Sequence, residues 1–383
     1  MQETRRLPVV IGAGITGAFA AWFLARRGLG PLLIERAGVG RGASGSNPGG
    51  LNPLQGPGIP GPLSELAWHS FLLHLHPARD LAHAAGPGGA VRRVRRLELA
   101  FDAREADALA AELSRCRHAE GFEARRLDAS ELRRVEPRVS PEAVGALWSE
   151  GNGMVDCRTY PQAIANAALA LGAKLQTGSV EGIVAENGRA VAVRVDGALI
   201  ACGALVIATG AHAEEASRWL GLRIPVEPVK GQLLLAEHAG PPLPHHVTRG
   251  HAGVYQIEAG RVWLGGTQER VGWDAAPSDA GRESILRQAS GLLPGLGPLR
   301  IHEQLCGLRP VTPDGLPILG RVPGWENVVL ATGAGPKGML LGAGMGECAA
   351  SLVMDREPPV DLRAFRPGRF AGASDGLQKG DRG

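Results

Sequence analysis

The 383-residue chain is poor in several things, and each shortage narrows what it can be. Cysteine is scarce: Cys116, Cys157, Cys202, Cys306 and Cys348 are odd in number, far apart and without a Cys-x-x-Cys pair. That argues against a disulfide framework or a structural zinc site and fits a reducing cytoplasm, the expected location. An excess of one charge is missing as well. Lys and Arg total 41 against 38 Asp and Glu, aromatics make up 4%, and no basic stripe interleaves with them. Nucleic acid is therefore not an expected partner. No apolar run is long enough to cross a bilayer. Thr4-Arg5-Arg6 and the apolar run behind it resemble an export signal only superficially, because glycines break the run and no small-residue cleavage site follows. His69, His74 and His76 lie in a helix expected over 63–85. Their spacings of five and two do not share a helical face, so they read as surface or packing residues rather than metal ligands.

Glycine is what the chain has in quantity: 56 residues, with 28 prolines, scattered without a repeat. This pattern means many tight turns rather than disorder. The length can bury a large core and suits about two domains.

The most informative stretch is the start. An apolar strand, Pro8-Val9-Val10-Ile11, runs into Gly12-Ala13-Gly14-Ile15-Thr16-Gly17. An Ala/Leu-rich helix follows to Gly28, and a second apolar strand ends Leu32-Leu33-Ile34-Glu35. Gly12 permits the tight turn, Gly14 a close approach of backbone to pyrophosphate, and Gly17 close packing of helix on strand. The free N–H groups and the helix dipole face the diphosphate, and Glu35 is placed to bind a ribose. This is a dinucleotide fingerprint, and by itself it serves NAD or FAD equally.

Further along, Gly40 to Leu51 is rich in Gly, Ser and Asn, either a phosphate- or ring-edge-binding loop or a flexible one. A half-buried strand is expected over 94–101 and an amphipathic helix over 103–117. Arg92, Arg93, Arg95 and Arg96 read as a solvated basic edge. Asp128-Ala129-Ser130-Glu131 starts a capped helix that ends before Pro137. A strand near 143–148, a Gly-rich turn, a helix over 158–171 and strands at 174–177, 180–185 and 190–195 follow. Ala204 to Ala211 is a buried strand ending in small residues, which lets a ligand lie against the backbone. Between 225 and 273 the runs Val229–Leu235, Gly253–Ile257 and Arg261–Thr267 read as antiparallel strands of a separate sheet. After a helix near 278–292 come Leu305-Cys306-Gly307-Leu308-Arg309-Pro310 and Thr312-Pro313-Asp314-Gly315. The buried strand Val328–Gly333 then leads through Ala334-Gly335-Pro336-Lys337-Gly338 into an apolar helix from Met339. Nucleotide-type strands thus occur at the beginning, middle and end, with a second domain inserted twice. Arg309 could grip a substrate carboxylate with two parallel hydrogen bonds or bridge the domains by a salt bridge. Tyr255, one of two tyrosines, could hydrogen-bond the same carboxylate or simply fill a half-buried strand position.

From residue 7 to 355 the chain resembles the glycine oxidase and D-amino-acid oxidase-type family of FAD-dependent amine oxidoreductases. The resemblance rests on Gly12–Gly17 with Glu35, Gly42-Ala43-Ser44-Gly45, Val229-Lys230-Gly231-Gln232, Gly307–Pro310 with Thr312–Gly315, and Ala331-Thr332-Gly333 through Gly338-Met339. It implies an α/β fold: a Rossmann-like FAD-binding domain (1–55, 144–224, 305–356) with an inserted α+β substrate domain on an antiparallel sheet (56–143, 225–304). A flexible tail is expected over 367–383. FAD is implied along Gly12, Gly14, Ile15, Thr16 and Gly17, with its ribose at Glu35 and Arg36 and its adenine near Val180. Ala43, Ser44, Asn47 and Gly49 are implied along the ribityl chain and ring, Ala208, Thr209 and Gly210 under the middle. Gly333, Gly335, Lys337, Gly338 and Met339 are implied at the isoalloxazine. Arg309 and Tyr255 become the catalytic-site residues. Sarcosine oxidase-like relatives attach flavin one position after Cys306, where this chain has Gly307, so the implied FAD is non-covalent. Their oxygen-activating lysine has no counterpart in Arg261–Thr267, which leaves oxygen and a quinone open as acceptor. The implied activity is oxidation of a small carboxylate-bearing amine to its imine. A flavin dehydrogenase acting on a hydroxy acid or amino acid with a quinone remains the alternative.

Overall fold

The computed structural model describes residues 7–76 and 89–371; the end of the helix expected over 63–85 and residues 372–383 of the expected tail lie outside the described residues. Short apolar runs such as Pro8–Ile11 and Val328–Thr332 are buried along their whole length, as strands covered on both faces must be. They form a six-stranded sheet in the order Ile318–Arg321, Val328–Thr332, Ala204–Ile207, Pro8–Ile11, Leu32–Glu35, Lys174–Thr177. Only the first pair is antiparallel. The three distant runs expected to share a sheet do so, with Pro8 opposite Ala204 and Leu205 opposite Val328.

The helix Ile15–Arg26 buries nearly its whole circumference, including Phe19, Ala20, Ala21 and Trp22. A helix apolar all round must lie inside the protein, and this one shares a core with the helices Ser64–Leu75, Tyr160–Ala170 and Gly338–Val353. A Cβ on Gly346 would stand 2.7 Å from the Ala20 nitrogen, so the close approach of the first and last helices depends on that glycine. A three-stranded antiparallel sheet (Val180–Glu186, Arg189–Val195, Ala198–Ala201) completes this half.

The second half is a nine-stranded sheet. Its order is Leu299–Val311, Glu227–His238, Arg261–Gly265, Ala252–Glu258, His246–Arg249, Arg92–Ala100, Gly145–Met154, Gly50–Leu51, with Glu123–Asp128 pairing off Gly145–Met154. Because strand residues alternate faces, Leu97, Leu234, Val254 and Leu264 pack on Ile285, Ala289 and Leu292 of the helix Asp279–Leu292. The opposite face carries Leu233, Trp263, Tyr255 and Met154. It turns toward the cofactor half, where a Cβ on Gly307 would stand 2.8 Å from the Ser46 Cβ.

Four expectations need correction. The strand near 143–148 runs to Met154 through Gly151 and Gly153 and belongs to the nine-stranded sheet, not to the nucleotide-binding side of a boundary at 144. The helix Ser64–Leu75, expected in the substrate domain (56–143), shares the core of Phe19 and Trp22 instead. The basic cluster is not wholly solvated. Arg96 alternates onto the inward face and pairs with Glu98 and, at 3.5 Å, with Glu112, while Arg93 lies over Phe71 and Phe122. The start of the expected tail is a turn, Pro367–Phe370, anchored by Arg369 on Asp314 at 2.8 Å. His74 is a packing histidine. It is buried between the Tyr160 hydroxyl (2.8 Å) and the Leu340 carbonyl (2.9 Å), and burial lowers its pKa to about 4.

Candidate active site

The carboxyl ends of the three central parallel strands converge, the place where open α/β sheets bind ligands. Gly12 turns the first strand at φ +96°, and a Cβ there would stand 2.6 Å from the Ala208 carbonyl oxygen. A Cβ on Gly17 would stand 1.8 Å from the Gly12 oxygen, so both positions exclude any side chain. Gly14 caps the helix without a side-chain partner, and the Ile15 N–H donates to the Ser44 hydroxyl at 3.0 Å. Ser44 therefore reaches the helix N-terminus, with Thr16 half-buried beside it. Glu35 accepts the N–H groups of Ala13 (2.8 Å) and Ala37 (2.9 Å). Its carbonyl takes the Gly178 N–H at 3.0 Å, which brings the chain entering Val180 alongside. Arg36 makes an exposed ion pair with Glu215 at 3.7 Å, just past the end of the strand Leu32–Glu35.

At the second strand's end, the Thr209 hydroxyl is buried with no hydrogen-bond partner. Gly210 has φ +57°, and its carbonyl accepts the Thr332 hydroxyl at 2.9 Å. The third strand ends at Gly333, φ +74°. A glycine cradle with an orphaned buried hydroxyl is what an extended dinucleotide would complete. The residues fit FAD.

The loop after Gly42 is ordered from within. Asn47 donates to the carbonyls of Ala43 (3.1 Å) and Ser44 (2.8 Å) and accepts the Gly49 N–H (2.8 Å), so its amide is committed to shaping the loop. Gly335–Lys337 form a turn that opens the helix Gly338–Val353, whose positive end lies here. Met339 packs into the core, leaving its backbone for this edge. Lys337 donates to the carbonyls of Asn52 (2.9 Å) and Gln55, and burial lowers its pKa to about 7, with Arg96 adding to the shift and Glu112 opposing it.

Arg309 stands opposite Val229 on the sheet face that looks toward this cradle. A Cβ on Gly231 would stand 2.2–2.3 Å from its guanidinium atoms, so the fork rests on that glycine. Nη1 donates to the Thr267 carbonyl at 2.9 Å. Among the described residues no carboxylate pairs with it, so the salt bridge left open by the sequence is not formed. Burial disfavours its charge, which Cys306, Tyr255 and Glu269 offset. Tyr255 lies on the same face, over Gly253 and near Gly265. Burial raises its pKa and keeps the phenol a donor. His246 meets the Tyr255 ring edge-on at 5.5 Å, and burial drops its pKa to about 4, so it is neutral. Sequence reading missed His246, Arg96 and Thr248 here. Strict alternation along two strands, Arg96 and Glu98 opposite His246 and Thr248, was the available signal.

A glycine cradle at the switch point of a parallel sheet, capped by an antiparallel sheet carrying a half-buried arginine, defines a dinucleotide-dependent enzyme. Comparison narrows this. The family described as FAD dependent oxidoreductase matches residues 9–352, and the chain belongs to that family. It is 30% identical over 375 residues to a glycine oxidase of Pseudomonas aeruginosa, covering 94% of this chain and 98% of that protein. The solved glycine oxidase of Geobacillus kaustophilus superposes with a TM-score of 0.89 at 28% identity, covering 95% of this chain and 99% of that one. Iminodiacetate oxidase from Chelativorans does so with a TM-score of 0.85 at 28% identity, covering 94% and 98%.

Proposed function

We propose that the protein oxidises a small carboxylate-bearing amino acid or secondary amine to its imine, with oxygen as acceptor. One observation carries the reading: Arg309 presents a half-buried fork, bonded to a single carbonyl and, among the described residues, to no acid, on the face opposite the cradle. Such a fork takes a carboxylate bidentately and fixes the attached α-carbon. The Tyr255 hydroxyl supplies a further donor on the same face. His246, neutral, adds no competing charge. The amine binds neutral, no protein base is required, and the imine hydrolyses in water. FAD held by Gly12, Gly14, Gly17 and Glu35 would supply the two-electron acceptor for the hydride leaving the α-carbon. The glycine oxidase and iminodiacetate oxidase likenesses support this substrate class. Non-covalent attachment is supported by the register. Cys306 lies opposite Gln232 and therefore faces away from Gly307, the residue that meets the cofactor loop. We assign cofactor binding to the six-stranded half and substrate binding to the nine-stranded sheet.

The test is anaerobic flavin bleaching against glycine, sarcosine, D-amino acids, L-proline and hydroxy acids, with peroxide measured under air. Arg309→Leu is expected to keep FAD and to weaken carboxylate substrates about a hundredfold, the loss of charge-assisted hydrogen bonds. Unchanged affinity in that variant sinks the clamp. Bleaching by hydroxy acids alone sinks the amine assignment.

A further inference from the structure

Behind Arg309 lies a polar network outside the proposed contact residues. The Thr267 carbonyl that accepts Arg309 Nη1 is held by its own residue's other groups. The Thr267 N–H donates to the Gln232 carbonyl at 3.3 Å, and the Thr267 hydroxyl accepts the Gln232 N–H at 3.0 Å. Both residues then converge on one carboxylate. The Thr267 hydroxyl donates to Glu269 Oε1, and Gln232 Nε2 donates to the same oxygen at 2.7 Å. The Glu269 backbone is clamped to Lys230 by a reciprocal pair of hydrogen bonds, each 2.9 Å. Lys230, its side chain 2% exposed, sets Nζ 4.0 Å from Glu269 and 2.9 Å from Asp274. Gln232 is fixed further by Ser278 (2.9 Å) and Gln304 (2.8 Å).

We infer that Glu269 is a positioning residue for carboxylate recognition: through Thr267 it fixes the height and angle at which Arg309 presents its fork. The inference rests on the proposed role of Arg309 and adds a group that touches neither substrate nor cofactor. Three features make Glu269 the centre of the arrangement. Among the described residues, it alone joins the side chains of both residues that hold the Arg309-bonded carbonyl. Its charge favours the Arg309 charge without contacting it, so Glu269 takes up none of the guanidinium donors left after Thr267. Lys230 sets a compensating ammonium 4.0 Å from the Glu269 carboxylate. Asp274 anchors only the far side of Lys230 and has no link to Thr267, which makes it an internal control.

Acetate is the probe, because it carries the carboxylate and nothing else. It is titrated into FAD-loaded protein and followed by the change in flavin absorbance, alongside KM and kcat for the best amine of the bleaching panel. Glu269→Gln and Thr267→Val are each expected to weaken acetate about five- to tenfold, the loss of one hydrogen-bonding link, and to raise KM in step. Both should leave kcat within about twofold and the dissociation constant of FAD unchanged. Asp274→Asn is expected to leave acetate affinity unchanged. Wild-type acetate affinity in both Glu269→Gln and Thr267→Val, with Arg309→Leu impaired, overturns the inference and spares the clamp. A fall in kcat with constant KM also overturns it. If acetate fails to bind the wild-type protein, or binds Arg309→Leu equally well, the clamp itself falls.

Discussion

Gly231→Ala places a single methyl under the Arg309 fork. The added Cβ would stand 2.2 Å from Nη1 and 2.3 Å from Cζ and Nη2, against 3.4 Å or more for ordinary contact. The guanidinium must therefore lift by roughly 1 Å. A hydrogen bond now at 2.9 Å to the Thr267 carbonyl does not survive that lift, since N–H···O bonds fade beyond about 3.2 Å. One misaligned charge-assisted hydrogen bond costs about 1.5–3 kcal/mol, which is roughly ten- to hundredfold in affinity at 1.4 kcal/mol per decade. The fold itself is spared, because the atoms nearest the methyl belong to the end of a flexible side chain. The assays are acetate titration of the FAD-loaded protein, KM for the best amine, and a thermal melt. A Gly231→Ala protein with a wild-type melt and wild-type acetate affinity would refute the seat on which Arg309 rests.

Two further outcomes are expected from the titrating groups. Lys337 has a folded pKa depressed to about 7 from 10.5. Between those values the unfolded chain holds a proton that the folded one has released, so stability should rise with pH from about 7 toward 10.5. Lys337→Met should flatten that slope in melts taken from pH 7 to 9. His74, depressed to about 4 from 6.5, binds its proton more readily when unfolded, so its contribution to stability is lost as pH falls from about 6.5 toward 4. Tyr160→Phe removes the hydroxyl partner of the buried His74 ring and should cost about 1–3 kcal/mol in a urea melt. An unchanged midpoint would show that water or a rearranged neighbour replaces it.

The parts of this protein that were legible in the sequence are those fixed by local chemistry. Gly12 and Gly17 are constrained by backbone atoms a few residues away or across one strand, and Glu35 by the end of its own strand. Asp128 and Glu131 form the expected capping box because both partners lie within one turn. The full length of the strand Gly145–Met154 is not legible in the sequence, because Gly151 and Gly153 signal a turn. Its continuation is decided by distant partners. The chain bulges beside Gly151, where pairing shifts between Val94 and Arg95, and Gly153 lets Leu51 and Val91 approach to within 3.3 Å of where a Cβ would sit. Arg96 read as solvated within a run of arginines. Only pairing with a strand some hundred and fifty residues later, His246–Arg249, turns it inward. Glu269 carried no signal at all, since its meaning lies in Thr267 and Gln232 meeting across a sheet.

The threading of the chain between its two sheets also sets a timetable for assembly. Pro8–Ile11 finds one neighbour, Leu32–Glu35, close by, but the other, Ala204–Ile207, begins 204 − 8 = 196 residues later, and Val328–Thr332 later still. Such long-range pairing is slow and leaves apolar strands exposed while it waits. The dinucleotide fingerprint is therefore complete as a cradle only once Val328–Thr332 has been made and paired, some three hundred residues after it.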